Sequence, residues 1–252
     1  MTQISFIDRG DGVRLACQFR AGTRPAGETA TLVFLPGYMS DMEGTKAVAL
    51  DAWAAEYGHA MLRFDYSGCG RSQGAFELGT LSRWRDDALA AIGHFVPEGP
   101  LLLIGSSMGG WLMLLTALAL PGRVAGLVGI AAAPDFTEWG FSDDEKARLQ
   151  REGLVAEPSP YSETPMITTL DFWQSGQANL LLESDIAIDA PVRLLHGHED
   201  DDVPWPISLK LANELRSENV RTVIVKGGDH RLSRLEDLGL LLTTVGELLE
   251  PR

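Results

Sequence analysis

A fully apolar run that ends in a turn of small residues limits the folds open to this chain more than any other feature. Leu101–Ile104 is entirely apolar, and Gly-Ser-Ser-Met-Gly-Gly follows before a second apolar stretch that reaches Leu120. This G-x-S-x-G pattern, centred on Ser107, is typical of a tight turn from a buried strand into a helix. Glycines at positions 105 and 109 let the neighbouring backbones approach closely. The sequence therefore predicts a central parallel strand over Leu101–Ile104, followed by a tight turn that holds Ser107.

The rest of the chain repeats the order of strand, turn and helix. An opening hairpin is expected around the glycines at 10 and 12, and the later apolar segments alternate between strand and helix lengths. Short links between such segments favour an α/β fold, in which a mostly parallel sheet carries helices on both faces. The predicted strands are Ile4–Asp8, Val13–Phe19, Thr31–Leu35, His59–Phe64, Leu101–Ile104, Val124–Ala132, Val192–Leu195 and Val220–Val225. The predicted helices are Gly44–Tyr57, Ser82–Phe95, Gly109–Leu120, Pro206–Arg216 and Ser233–Leu249.

One long interval interrupts this order. Residues 134–190 separate two predicted strands, and within them Asp143–Glu152 and Met166–Leu182 have helical spacing. Because long insertions in compact domains are usually functional, we expect 134–190 to form a lid or cap within a single domain that spans 1–252. The alternative is that this insertion has only a structural role and covers the edge of the sheet. The insertion holds twelve acidic and three basic residues, so it carries −9 of the net charge of −14.

Charge and composition exclude several kinds of partner. Acidic residues number 35 against 21 basic ones, which argues against nucleic acid and against an anionic membrane surface. The longest apolar stretch, Trp111 to Leu120, is too short to span a bilayer. Two cysteines, Cys17 and Cys69, are expected to be reduced thiols. With no recognisable secretory or transit pattern at Met1, these features predict a cytoplasmic protein without a stable membrane anchor.

Ser107 is the candidate nucleophile, and a nucleophilic serine needs a base and an acid further along the chain. Ser106 is the alternative serine, but its side chain is expected to point away. His230 is the candidate base, because it lies in a loop between the last predicted strand and the last helix. The other histidines are His59, His94, His196 and His198.

The acid is expected in the loop after Val192–Leu195, where three aspartates are adjacent. We favour Asp200, while Asp202 could cap the next helix and Asp201 could be solvated. His196 to Asp200 also reads as H-x-H-x-D, a metal-binding pattern, but the further histidines that such sites need are missing. No metal is therefore expected. No dinucleotide cofactor is expected either, since the G-x-G-x-x-G pattern is incomplete after the glycine at position 68.

Two backbone N–H groups are needed to bind an oxyanion during acyl transfer. Met108, directly after the candidate nucleophile, and Tyr38, in the loop after Thr31–Leu35, are the candidates. Aromatic residues of the insertion suggest an apolar cleft for an acyl or aromatic group. The residues expected to contact substrate there are Trp139, Phe172 and Trp173.

With these residues placed, the whole chain resembles the α/β-hydrolases, and among them the abhydrolase-domain acyl-protein thioesterases. The resemblance implies an eight-stranded α/β-hydrolase fold, Ser107 as nucleophile, Asp200 as acid, His230 as base and no cofactor. It implies hydrolysis of carboxylic esters or thioesters, either small molecules or acyl-bearing ones, through an acyl-enzyme. A C–C bond hydrolase, a cofactor-free haloperoxidase and a non-enzymatic ligand-binding protein remain alternatives on this fold. The matching stretches are Phe34–Tyr38, Arg63–Gly68, Gly105–Met113, Arg193–Gly197, Asp202–Trp205 and Asp229–Arg231.

Overall fold

The structure is a computed structural model that describes residues 3–24, 29–159 and 165–249. These residues form ten strands, which are β1 (Ser5–Asp8), β2 (Arg14–Arg20), β3 (Thr31–Leu35), β4 (Met61–Phe64), β5 (Leu101–Ser106), β6 (Val124–Ile130), β7 (Leu154–Glu157), β8 (Met166–Thr169), β9 (Val192–Gly197) and β10 (Val220–Val225). They also form eight α-helices, which are α1 (Thr45–Tyr57), α2 (Leu81–Phe95), α3 (Met108–Ala119), α4 (Phe136–Trp139), α5 (Asp143–Glu152), α6 (Leu170–Gln177), α7 (Pro206–Glu214) and α8 (Leu235–Leu249).

Eight of the strands form one mostly parallel sheet. Its order is β1-β2-β4-β3-β5-β6-β9-β10, and antiparallel pairing is confined to β1 with β2 and β2 with β4. Each of the eight predicted strands is present, with its ends within two residues of the expected ones. The predicted α/β-hydrolase architecture is therefore confirmed, and β5 lies near the middle of the sheet.

Alternate residues along the central strands face two separate cores. Leu32 and Phe34 of β3 face α1 and α8, whereas Val33 and Leu35 face α2, α3 and α7. The strand β5 is buried along its whole length, as expected for a parallel strand covered on both faces. The sheet thus gives a rigid support for the residues that follow its strands at their carboxyl ends.

The turn after β5 depends on close backbone contact. A side chain at Gly109 would place its Cβ 2.1 Å from the carbonyl oxygen of Leu35, and one at Gly105 would come within 2.2 Å of the Gly109 oxygen. Only glycine lets α3 start this close to β3 and β5. Close packing thereby explains both glycines of the G-x-S-x-G pattern, at positions 105 and 109.

Residues 134–190 contain α4, α5, the antiparallel pair β7–β8 and α6. The prediction of a helix over Met166–Leu182 is wrong at both ends, since β8 occupies the first four residues and α6 ends at Gln177. Ile167, Thr168 and Thr169 are β-branched and pair with β7, and the side chain of Thr169 then caps α6. Along the described chain, no helix combines the length and apolarity needed to cross a membrane.

Buried Asp135 ties the start of the insertion to the segment that follows α6. Its carboxylate accepts hydrogen bonds from the N–H groups of Leu181 at 2.8 Å and Leu182 at 2.7 Å. Burial raises the pKa of Asp135, and the two N–H bonds act in the opposite direction. The start of the insertion is therefore held against residues 181–182, before the chain crosses to the amino edge of the sheet, where β9 begins parallel to β6.

Candidate active site

Ser107 lies at the sharp turn between β5 and α3. Its φ of 55° and ψ of −123° are unusual for a residue with a side chain, and three backbone hydrogen bonds hold them. The N–H of Ser107 donates to Ile130 at 2.9 Å, and its carbonyl oxygen accepts from Gly110 at 2.8 Å and Ala133 at 3.1 Å. This strained conformation presents the Ser107 hydroxyl at the carboxyl edge of the sheet.

The structure brings the three predicted catalytic residues into one hydrogen-bonded line. The Nε2 atom of His230 lies 3.1 Å from the Ser107 Oγ, and its Nδ1 atom lies 2.9 Å from the Asp200 Oδ2. These residues come from the ends of β5, β9 and β10, so the sheet places them although 123 positions separate the serine from the histidine. The Asp200 side chain is fully buried, while that of His230 is 16% exposed and faces the cleft.

Four donors surround the Asp200 carboxylate. Its Oδ1 accepts from the N–H groups of Asp202 at 2.9 Å and Val203 at 2.8 Å. Its Oδ2 accepts from His230 and lies 3.1 Å from Nε2 of His196. Burial by itself raises the pKa of this carboxyl, but hydrogen bonds from His196, His230 and Val203 hold it well below its usual range. These contacts therefore favour the ionised form of Asp200 in the folded protein.

His196 is a residue in contact with the candidate acid that sequence reasoning missed. Its side chain is completely buried, and it contacts Ser208 Oγ at 2.7 Å and the Val203 carbonyl at 2.9 Å as well as Asp200. The H-x-H-x-D pattern marked this position, but as a possible metal ligand. His198 points elsewhere and stacks on Trp205, with 6.0 Å between ring centroids, so the two histidines do not converge on one ion.

The two predicted oxyanion donors lie on either side of Ser107. Among the described residues, neither the N–H of Tyr38 nor that of Met108 donates to a protein acceptor. Gly37 brings the first of these segments close, because a Cβ on it would lie 3.4 Å from the Cβ of Ser107. Their role as oxyanion donors stays a prediction.

Tyr38 lines the cleft, and its ring packs in a group of aromatic rings. Its centroid lies 4.9 Å from that of Phe172, 5.3 Å from Phe76 and 5.8 Å from Trp84. Its hydroxyl donates to the carbonyl oxygen of Ile167 on β8 at 2.5 Å. Burial raises the pKa of the Tyr38 hydroxyl, which remains protonated as a donor.

A cleft of about 720 Å³ opens over Ser107 and His230. Of the three aromatic residues predicted to contact substrate, Trp139 lines it, whereas Phe172 and Trp173 do not. Phe172 is 1% exposed within the aromatic group around Tyr38, and the Trp173 Nε1–H donates to the Thr137 carbonyl at 2.9 Å. The insertion contributes a further set of apolar lining residues, which are Phe136, Phe141 and Met166.

The rim of the cleft carries both signs of charge. Glu145 and Glu157 face it from the insertion, and Lys46 and Arg231 face it from the sheet side. Burial, with the nearby Arg231, lowers the pKa of Lys46 to about 8, and its amine donates to the Arg231 carbonyl at 2.5 Å. Since Asp41 and Asp202 also line the cleft, acidic side chains outnumber basic ones there by four to two among the described residues.

One group of ligating side chains among the described residues has metal-compatible spacing. It comprises Asp200, Asp202 and His230, whose ligand atoms lie within 4.8 Å of one another. Asp200 and His230 are already bonded to each other, so an ion there would have to displace that contact. The group thus overlaps the serine–histidine–aspartate arrangement and is not a separate site.

A serine at a strained strand-to-helix turn, with histidine and aspartate supplied by later strands of an eight-stranded sheet, defines a hydrolase of the serine type. The chain belongs to the α/β-hydrolase family. The sequence profile of the family described as serine aminopeptidase, S33, matches residues 27–150.

The proteins similar to this chain narrow the kind of hydrolase further than the fold does. The human mitochondrial palmitoyl-protein thioesterase ABHD10 is 39% identical over 99% of this chain and 81% of its own length. The crystal structure of a putative hydrolase from Agrobacterium vitis S4 is 40% identical, with a TM-score of 0.91 and 99% of each chain covered. Mouse alpha/beta hydrolase domain-containing protein 10 is 38% identical, with a TM-score of 0.88 and 98% of each chain covered. The chain is thus a hydrolase similar to ABHD10.

Proposed function

We propose that this protein hydrolyses carboxylic esters or thioesters through a Ser107 acyl-enzyme. The observation that carries the proposal is the continuous contact from Ser107 through His230 to Asp200, at 3.1 and 2.9 Å. A protein that only bound ligands would have no need for a strained serine aligned with a histidine and a buried carboxylate. The relatives named as palmitoyl-protein thioesterases support the thioester as one substrate class.

In the first half of the reaction, Ser107 Oγ attacks the substrate carbonyl carbon while His230 Nε2 takes the hydroxyl proton. Asp200 accepts the His230 Nδ1–H, which keeps Nε2 free to act as a base and stabilises the imidazolium that forms. The carbonyl oxygen becomes an oxyanion that accepts from the N–H groups of Tyr38 and Met108. Collapse breaks the bond to the leaving alcohol or thiol, which receives the proton from His230.

In the second half, water replaces the leaving group. His230 takes a proton from the water, whose oxygen attacks the acyl carbon, and the same two N–H groups stabilise the second oxyanion. When the bond to Ser107 Oγ breaks, the proton returns from His230 to the serine. The carboxylic acid leaves, and every group is restored without a cofactor.

The insertion is proposed to act as a cap that shapes the acyl side of the cleft within one functional unit of 1–252. Its apolar lining, including Trp139, suits a neutral acyl or aromatic group. Its net negative charge is expected to slow the approach of polyanions such as acyl-CoA. The cytoplasmic location stays a prediction, to be checked by cell fractionation, since the ABHD10 relatives are named as mitochondrial.

The central experiment compares Ser107→Ala with wild type on a p-nitrophenyl ester and an uncharged thioester. We expect kcat to fall by about 10⁶ while the circular dichroism spectrum is retained. Ser106→Ala is the matched control, since it removes the neighbouring hydroxyl, and it should keep most of the activity. Near-normal activity of Ser107→Ala would refute the assignment.

Labelling with a fluorophosphonate separates the alternatives. Covalent modification of Ser107 in wild type excludes a purely ligand-binding protein, because binding alone does not activate a serine. If labelling occurs but no ester or thioester is cleaved, the same residues serve other chemistry, such as C–C bond hydrolysis or cofactor-free halogenation. A substrate screen over those classes then decides between them.

A further inference from the structure

We infer that His196 is a positioning residue, which acts through Asp200 to hold His230 in its working orientation. It lies on β9, four positions before Asp200, and none of its side chain is exposed. It reaches neither Ser107 nor the cleft, so it has no direct contact with the reacting atoms. The inference rests on the proposed function, because it assigns a role within the same reaction.

The contacts of His196 fix which ring nitrogen carries the proton. Its Nε2 atom lies 2.9 Å from the Val203 carbonyl and 3.1 Å from the Asp200 Oδ2, and both of these oxygens only accept. Nε2 must therefore be protonated, since it donates to the Val203 carbonyl and lies beside the Asp200 carboxylate. Its Nδ1 atom lies 2.7 Å from Ser208 Oγ, whose hydroxyl can donate to it. The whole set is satisfied by the neutral imidazole, with no buried charge added.

This arrangement holds the catalytic carboxylate in one rotamer. The Oδ2 of Asp200 contacts His230 Nδ1 at 2.9 Å and the protonated Nε2 of His196 at 3.1 Å, so two imidazoles meet the same oxygen. His196 also bonds the Val203 carbonyl, which ties the loop that carries Asp200 to β9. Without that donor, the backbone N–H groups of Asp202 and Val203 still hold Oδ1, but Oδ2 is held by His230 alone, so His230 has a less rigid partner.

Three variants separate positioning from general structural support. His196→Phe keeps the ring volume and removes both nitrogens, whereas His196→Gln places an amide N–H near the original Nε2 position. His59→Phe is the matched control, because His59 is also buried, at 3% exposed, but precedes β4 at the opposite edge of the sheet. We expect His196→Phe to lower kcat by about 10- to 100-fold with KM nearly unchanged, since small misplacements of catalytic groups cost this much. His196→Gln should recover most of kcat.

The pH profile supplies a readout that loss of stability alone would not move. In His196→Phe, the acid limb of kcat/KM should shift to lower pH, because a loosened Asp200 supports protonated His230 less well. The other ionisable groups around His230, which are Lys46, Asp202, Asp229 and Arg231, are unchanged in all three variants. The inference is overturned if the acid limb does not move, if it moves to higher pH, or if His59→Phe behaves like His196→Phe.

Proton NMR tests the same inference without turnover. The His230 Nδ1–H shared with Asp200 should give a downfield resonance in wild type and His196→Gln that is lost or broadened in His196→Phe. An unchanged resonance in His196→Phe would refute positioning. If wild type shows the resonance but hydrolyses no ester or thioester, the proposed function fails while the structural role of His196 stands.

Discussion

The replacement Asp200→Asn tests the electrostatics of the site most directly, because it exchanges one carboxylate oxygen for an NH₂ group and hardly changes the volume. The carboxylate of Asp200 meets two donors at each oxygen, whereas an amide offers only one oxygen. In either orientation, the new NH₂ group therefore faces two donors. The N–H groups of Asp202 and Val203 cannot change, but His230 can move its proton from Nδ1 to Nε2. The amide is thus expected to point its NH₂ at His230 and to force the wrong tautomer.

A His230 protonated on Nε2 cannot accept the Ser107 proton. Triads altered in this way lose about 10⁴ in kcat, which corresponds to about 5.4 kcal/mol of activation free energy. The free energy of unfolding should fall by only about 1–3 kcal/mol, since hydrogen-bonding partners are lost while the fold is kept. The protein should therefore remain folded at 25 °C and bind substrate, with the defect confined to kcat.

The assay is steady-state hydrolysis of a p-nitrophenyl ester, with thermal unfolding measured on the same samples. Asp201→Asn is the matched control, since this exposed neighbour does not line the cleft, and it should remain within about threefold of wild type. If Asp200→Asn stays within tenfold of wild type, or if Asp202→Asn shows the larger loss, the assignment of the acid is wrong.

The same carboxyl links stability to pH. Its pKa in the folded protein is held below the unfolded value of about 3.9, so its ionised form stabilises the fold above that pH. This contribution is lost as the pH falls towards the folded pKa. The difference in unfolding free energy between wild type and Asp200→Asn should therefore shrink as the pH is lowered from about 5.

Three further expectations follow from packing and charge. Burial raises the pKa of both Cys17 and Cys69 to about 12. Neither thiol of the native protein should therefore react with Ellman's reagent at pH 8, whereas both should react in denaturant. A prompt reaction of the native protein would contradict this burial. Gly109→Ala should lower the unfolding free energy by about 3 kcal/mol or more, because its Cβ would lie 2.1 Å from the Leu35 oxygen. Gly239→Ala on α8, where nothing lies within 4 Å, should be neutral or stabilising. Equal thermal stability of the two variants would argue against the close approach. An uncharged thioester should be preferred over the matching acyl-CoA by about tenfold in kcat/KM, a preference that weakens with added salt; a strong CoA preference would show that the acidic insertion does not filter substrates.

Much of this molecule could be predicted from local patterns, because the relevant signals lie within short segments. Local sequence indicates the structure at the Gly-Ser-Ser-Met-Gly turn and in the apolar run of β5. It also places the loop histidine after the last strand. The strand β8 could not be predicted, since its pairing partner β7 stands across residues 158–165, and only that pairing outweighs the helical spacing from Met166 onward. Non-local contacts of this kind leave no mark on the segment itself.

The direction in which each aromatic side chain of the insertion points could not be predicted from the sequence either. Phe172 and Trp173 are as aromatic as Trp139, and composition alone suggests a common role. The structure buries Phe172 against the Tyr38 ring and turns the Trp173 indole towards α4, because α6 packs on α2 rather than over the cleft. The sequence interpretation of His196 likewise relied on its spacing from Asp200. Its actual partners come from the loop after β9 and from α7, which meet only in the folded protein.

The position of Tyr38 restricts how this enzyme could be re-engineered. Its backbone N–H belongs to the loop beside Ser107, its ring belongs to the aromatic group with Phe172, and its hydroxyl is held by Ile167 of the insertion. One residue is therefore shared by parts that a designer would treat as separate modules. A chimera that receives residues 134–190 from a relative would need the matching loop after β3 as well, and directed evolution of the insertion should repeatedly select compensating changes around Tyr38.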